Sequence, residues 1–223
     1  FGEQVKALLI GASIVIGLPL FSWGVTDWQG FMGEPVRRWY CIVGLVLMMG
    51  VVVLVPDFGR SGRKGKTWVP RQHFALVLMQ IGSLGVVILS PYSDRWGIWV
   101  LNDFAVGRWM GLFLFASGYG LMNWAVCALD KFFSIEVTIQ EGHQLITHGP
   151  YRVIRHPRYL GILLFILGIA LIFRSGLGIA AWVLMLATLI WRITDEEKMM
   201  QDQFGEKWEK YRGKTWRLLP GVY

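Results

Sequence analysis

The chain has 223 residues, 54% of them hydrophobic and 17% charged, with a mean hydropathy of +0.47, a balance that excludes an ordinary water-soluble domain and indicates an integral membrane protein. Its formal net charge of +7 does not indicate a nucleic-acid partner, because the basic residues lie between apolar runs with no soluble aromatic platform beside them. Cys41 and Cys127 are the two cysteines; both sit inside apolar runs and read as small hydrophobes, which excludes a disulfide framework or a cysteine metal site.

A helix crosses the bilayer core with roughly 20 apolar residues, about 17 sufficing, and six segments approach that length. Residues 5–23 come first. This run lacks a strongly basic leader and a small-residue cleavage site, so it is expected to be a retained span. Residues 39–55 and 74–89 follow, then 105–129, the longest, which carries the polar Asn123 toward its far end. Residues 157–173 and 177–191 close the series, joined by Arg174, Ser175 and Gly176, a link short enough to force an antiparallel hairpin. The 12 Trp and 27 Gly fit the same class, since indole rings suit the headgroup level and Gly is common in membrane helices.

Cytoplasmic loops carry an excess of Lys and Arg. Between the second and third segments Arg60, Arg63, Lys64, Lys66 and Arg71 are opposed by Asp57 alone, which places that loop inside. Alternation then puts both termini and the segment after the fourth span inside as well. The expected fold is an all-α integral membrane protein of about six transmembrane helices ending in a helical hairpin, with a cytoplasmic cap. Residues 1–129 form the N-terminal spans, and residues 130–223 hold a cytoplasmic segment, the hairpin and a C-terminal helix.

The segment before the hairpin is richer than a connector requires. Ile135, Val137 and Ile139 alternate with polar residues, as in an extended stretch packed on one face. Gly142, Gly149 and Pro150 are turn residues, and His143, His148 and His156 lie near them without the spacing of a zinc motif. Arg152, Arg155 and Arg158 read either as membrane anchors whose stems lie along the helix start or, with His156, as the mouth of a site. Pro157 suits the first position of a helix, and the N–H groups beyond it then face the interface, where an anionic group can rest.

Past residue 191 the last helix becomes charged. Arg192 and Glu196 lie four apart and share a helical face, either as a surface ion pair or as part of a site. Phe204, Trp208 and Tyr211 follow at the spacing of a packing face, with Gly205 as an interruption. Because the hairpin is short, residues 155–159 must lie beside residues 192–197. A transporter would place ionisable groups at mid-membrane, and the middle of each expected span carries no Asp, Glu, Lys, Arg or His; a non-catalytic scaffold could keep the motifs for packing.

The stretch "GHQLITHGPYRVIRHPRYLG", then an apolar hairpin, then "DEEKMMQDQFGEKWEKYRGKTWRLLP", resembles the isoprenylcysteine carboxyl methyltransferases and their prokaryotic relatives, within a wider group that includes phospholipid methyltransferases. The resemblance implies a multi-pass membrane enzyme that takes S-adenosyl-L-methionine on its cytoplasmic side and a lipophilic or lipidated acceptor from the bilayer, surrounded by membrane lipids. Carried over by motif position, it implies that His143, Gln144, Leu145 and Ile146 line the adenosine pocket and that Tyr151 contacts the cofactor. It further implies that His156, Pro157, Arg158 and Tyr159 wrap the cofactor, that Glu196 holds its amino-acid end, and that Arg192 faces the substrate as the catalytic group. A carboxylate acceptor needs no base at neutral pH and suits Arg192; an amine needs one, such as Glu196, Glu197 or a histidine, and a thiol is a further alternative. A sterol-type membrane reductase using NADPH resembles this region in outline.

Overall fold

The structure, a computed structural model, describes residues 2–54, 70–102, 104–129 and 145–222. The extended stretch expected around residues 135–139, the basic side chains of residues 60–71, and His143 and Gln144 lie outside the described residues. Apart from two isolated bridges, the regular structure in the described residues is helical.

The first apolar run forms α1 (Gly2–Ala12), a π-helical turn (Ser13–Gly17) and α2 (Leu18–Trp23). Gly24, at φ +111°, then turns the chain by a conformation that a Cβ would oppose. A short 3-10 turn (Val25–Asp27) leads into α3 (Trp28–Gly33), and the limbs Leu8–Trp23 and Val25–Gly33 meet at 94°. Asp27 fixes the corner by accepting from the Gly30 amide and the Trp23 indole N–H, each at 3.1 Å. The longer helices are α4 (Pro35–Leu54), α5 (Pro70–Trp96), α6 (Ala105–Leu129), α7 (Pro157–Ile172) and α8 (Gly176–Phe204), followed by the short α9 (Glu206–Arg212).

Helices occupy all six expected segments where they are described, but their lengths differ from expectation. Among the described residues three, Phe74–Trp96, Ala105–Leu129 and Gly176–Phe204, are long and apolar enough to cross a membrane, and a fourth span results if the bent pair counts as one. The helix α7 has 16 residues, and α4 carries Arg37 and Arg38 in its first turn. The third segment runs past residue 89 through Pro91 to Trp96. Phe113, Leu184 and Val106 point outward, while Asp94, Arg108, Arg192 and Glu197 are buried, an arrangement suited to an apolar surround.

Packing is tightest between α6 and α7. A Cβ at Gly111 would lie 2.7 Å from the Ile172 amide nitrogen, one at Gly118 2.7 Å from the Gly161 carbonyl, and one at Gly168 2.6 Å from the Gly111 carbonyl. These glycines recur at intervals of seven on both helices, two turns apart, so the antiparallel backbones touch along one seam. Beside the seam, Phe115 stacks on Phe165 at 4.8 Å and meets Tyr40 of α4 edge-on at 4.9 Å. At the end of α7, Asp94 accepts hydrogen bonds from Arg37, Arg108 and Arg174.

Gly118→Ala is expected to destabilise the protein by about 2 kcal/mol or more, because the added methyl meets backbone that cannot rotate away. Gly120, also on α6, has nothing within 4 Å of its Cβ position, so Gly120→Ala should be neutral or slightly stabilising. Thermal unfolding of both variants in detergent checks the pair.

Candidate active site

The site forms where α7 begins and α8 leaves its apolar stretch. A turn at Gly149–Arg152 approaches α7, with Gly149 at φ +59°. A Cβ at Gly149 would lie 3.3 Å from the Ala128 Cβ, so the turn lies close against the end of α6. Pro157 opens α7 and is buried, with His156 before it.

The residues expected to share the site meet across the hairpin. The Tyr159 hydroxyl donates to Glu196 Oε2 at 2.7 Å and accepts from Arg192 Nε at 2.9 Å. Arg192 is 1% exposed, and its guanidinium lies 5.8 Å from the Tyr159 ring centroid. The Glu196 side chain retains 20% exposure, with Oε1 4.0 Å from His156 Nδ1. A guanidinium, a phenol and a carboxylate therefore stand in a row from inside to outside.

His156 stacks on Tyr159, with ring centroids 5.6 Å apart and an interplanar angle of 13°. Its Nε2 is 3.3 Å from Glu197 Oε1, where a carboxylate can only accept. Tyr151 is buried, and its carbonyl accepts from the Tyr211 hydroxyl at 2.8 Å. Burial pushes the Tyr211 phenol above its ordinary range, with Arg155 opposing and Glu197 adding, so the hydroxyl keeps the proton that it donates. Leu145, Ile146 and Arg158 are half-buried.

Sequence reasoning placed Arg155 at the mouth of a site and offered Glu197 as a candidate base, but it did not single out Arg217 or the carboxylate's role as a hub. Glu197 accepts from Arg155 Nε at 2.8 Å and from Arg217 Nε and Nη2 at 2.9 and 2.6 Å. Arg155 and Arg217 thus join His156 around one carboxylate. The backbone repeats the junction: the Arg155 amide donates to the Trp216 carbonyl at 2.7 Å and the Trp216 amide to the Val153 carbonyl at 2.9 Å, flanking a parallel bridge between Ile154 and Trp216. Arg155 Nη1 also donates to the Thr215 carbonyl. The doublet Glu196 and Glu197 was visible in sequence, but successive helical residues point about 100° apart, and only the fold of the tail reveals which faces what. Arg217, near the end of the chain, gave no signal.

A helical membrane-type bundle that gathers buried Arg, Tyr and Glu at one end of a hairpin defines a class of membrane proteins with a polar site at the edge of an apolar body. Residues 106–207 match the phospholipid methyltransferase family. The chain is 31% identical over 200 residues to a probable protein-S-isoprenylcysteine O-methyltransferase of Oryza sativa subsp. indica, covering 86% of this chain and 100% of the relative. It is 28% identical over 150 residues to protein-S-isoprenylcysteine O-methyltransferase A of Arabidopsis thaliana, covering 63% of this chain and 70% of that one. In fold it is similar to a eukaryotic intramembrane Ras methyltransferase, isoprenylcysteine carboxyl methyltransferase, with a TM-score of 0.55 and 21% identity over 95% of this chain and 74% of the other. The chain belongs to the isoprenylcysteine carboxyl methyltransferase family. It is a membrane methyltransferase.

Glu197→Gln removes the charge that joins Arg155, His156 and Arg217, and breaking such a buried cluster costs about 3–5 kcal/mol. Amide hydrogen exchange over residues 213–218 should accelerate, and the unfolding temperature should fall. Unchanged exchange there would mean that Glu197 does not hold the tail.

Proposed function

We propose that the chain transfers a methyl group from S-adenosyl-L-methionine to the carboxylate of a lipophilic, isoprenylcysteine-like acceptor. In this reading residues 130–223 form the catalytic region, facing the cytoplasm together with both termini, and the N-terminal 129 residues supply further spans to a total of six. The names of the plant relatives support the acceptor class. The observation that carries the reading is the row Arg192, Tyr159 and Glu196.

The donor set fits this cofactor: Glu196 keeps an exposed edge that can meet an ammonium group, while Arg192 lies deeper. Glu196 would hold the amino-acid end. Leu145, Ile146, Tyr151, Pro157, Arg158 and Tyr159 would form the wall, with His143 and Gln144 assigned to the adenosine by motif. His156, stacked on Tyr159 and bonded to Glu197, contributes to that wall by keeping Tyr159 in place.

When bound, the cofactor supplies an activated methyl sulfonium: a carbon–oxygen bond forms to the acceptor as the carbon–sulfur bond breaks, leaving the neutral thioether and the methyl ester. The protein's contribution is alignment and exclusion of water. Arg192 orients the acceptor carboxylate through its planar donors, and Tyr159 keeps that guanidinium in register with Glu196. A buried cation in this position suits an anionic acceptor and disfavours an amine that arrives protonated, which favours carboxyl over amine transfer.

Calorimetric titration with S-adenosylhomocysteine tests the reading. Glu196→Ala should weaken binding about tenfold or more, whereas Arg192→Lys should leave it within about threefold and lower kcat on the order of 100-fold. Tyr159→Phe should reduce kcat about tenfold by releasing both neighbours. Saturable binding of NADPH in place of S-adenosylhomocysteine, or equal cofactor affinity in Glu196→Ala and the parent, would overturn the assignment.

A further inference from the structure

We infer that the end of the bundle opposite the candidate active site binds the phosphate of an anionic lipid headgroup, with Arg174 as the contacting residue. The site is built around Asp94, whose side chain is 1% exposed. Its Oδ2 accepts from Arg37 Nη1 at 2.7 Å and Arg108 Nη1 at 3.2 Å, and its Oδ1 from Arg108 Nη2 at 3.1 Å and Arg174 Nε at 2.6 Å. Four bonds fill the acceptor capacity of a carboxylate. Arg37 is further occupied by the Phe31 and Gly30 carbonyls, and Arg108 by the Ile172 carbonyl.

Arg174 differs from these two. Its side chain is 31% exposed, and among the described residues its hydrogen-bond partner is Asp94, through Nε, which leaves the two terminal nitrogens as the donors this site can offer. Charge points the same way. Arg95 pairs with Asp27, and Glu34 acts on Arg37 through space. Arg37, Arg38, Arg95, Arg108 and Arg174 outnumber Asp27, Glu34 and Asp94 among the described residues, and with Asp103, which lies outside them, the sequence still leaves one cation in excess. At the membrane interface an excess cation attracts an anionic headgroup, and the guanidinium fork matches phosphate.

The neighbours identify the source as lipid. Arg174 and Trp99 are the non-glycine residues with positive φ among the described residues, at +40° and +49°. The backbone holds them together, the Leu101 amide donating to the Arg174 carbonyl at 2.9 Å and the Gly176 amide to the Trp99 carbonyl at 2.8 Å. Trp99 is 62% and Trp96 63% exposed, as indole rings are at the headgroup level of a membrane. A phosphate resting on Arg174 is therefore flanked by rings that favour the interface.

Native mass spectrometry of the full chain in detergent, with phosphatidylglycerol and phosphatidylcholine of identical acyl chains, tests the site. One phosphatidylglycerol should be retained about fivefold better than phosphatidylcholine, the factor expected for one Arg beside an anionic lipid. Arg174→Asn keeps a residue that tolerates positive φ and should bring the two lipids to parity, whereas Arg174→Lys should keep most of the preference. Equal retention of both lipids by the parent, or an undiminished preference in Arg174→Asn, would overturn the proposal. Inorganic phosphate raising the unfolding temperature as much as phosphatidylglycerol would overturn the lipid assignment in favour of a soluble anion.

Discussion

Helices α6 and α7 approach until backbone meets backbone, and the positions of both charged ends depend on that approach. Gly111, Gly118, Gly161 and Gly168 leave no room for a Cβ along the seam. In an apolar solvent hydrophobic burial does little to hold two helices together, so the association rests on close packing of this kind. With the seam closed, the turn at Gly149 lies against Ala128, and α7 must start beside the end of α6. The short link to Gly176 then brings α8 back alongside, which sets Tyr159 opposite Arg192 and Glu196.

Two buried carboxylates tie the remaining elements to that frame. Asp94 draws α4, α6 and the α7–α8 turn onto the end of α5, while Glu197 draws the residues before α7 and the chain beyond α9 onto α8. Each carboxylate is surrounded by cations, and desolvating such groups is costly unless their hydrogen bonds are made. The result is specificity of placement more than net stability. An alternative packing of either hub would leave an Arg or a carboxylate unpaired in an apolar surround.

Much of this was legible in the sequence because it depends on local rules. Apolar run length located the helices, the three-residue link located the hairpin, and helical spacing put Arg192 and Glu196 on one face. Pro157 at the start of α7 and Gly205 at the break between α8 and α9 are conformational signals that a sequence states directly. The short hairpin already put residues 155–159 beside 192–197; what was not legible depends on longer-range pairing, namely the partnership of Trp216 with Ile154 and the arrival of Arg217 beside Arg155 and His156 on Glu197. The third span was expected to stop near residue 89, which leaves Asp94 beyond its end. Its burial follows from three arginines that approach from separate parts of the chain, one of them 80 positions away.

The two hubs do different work because of what surrounds them. Asp94 has its four acceptor positions filled by arginines, and the excess charge around it is positive. At the other end Glu197 takes up Arg155 and Arg217, and so lets its neighbour Glu196 bond to a neutral phenol while retaining an exposed edge. Had Arg155 or Arg217 paired with Glu196 instead, that carboxylate would be closed to an incoming ammonium group. Division of labour between adjacent glutamates thus makes the candidate site receptive: one is fixed by cations and anchors the tail, and the other remains available next to a buried guanidinium. An edge where a water-facing anion and a buried cation are linked through one hydroxyl suits the meeting of a polar donor with an acidic, lipophilic acceptor.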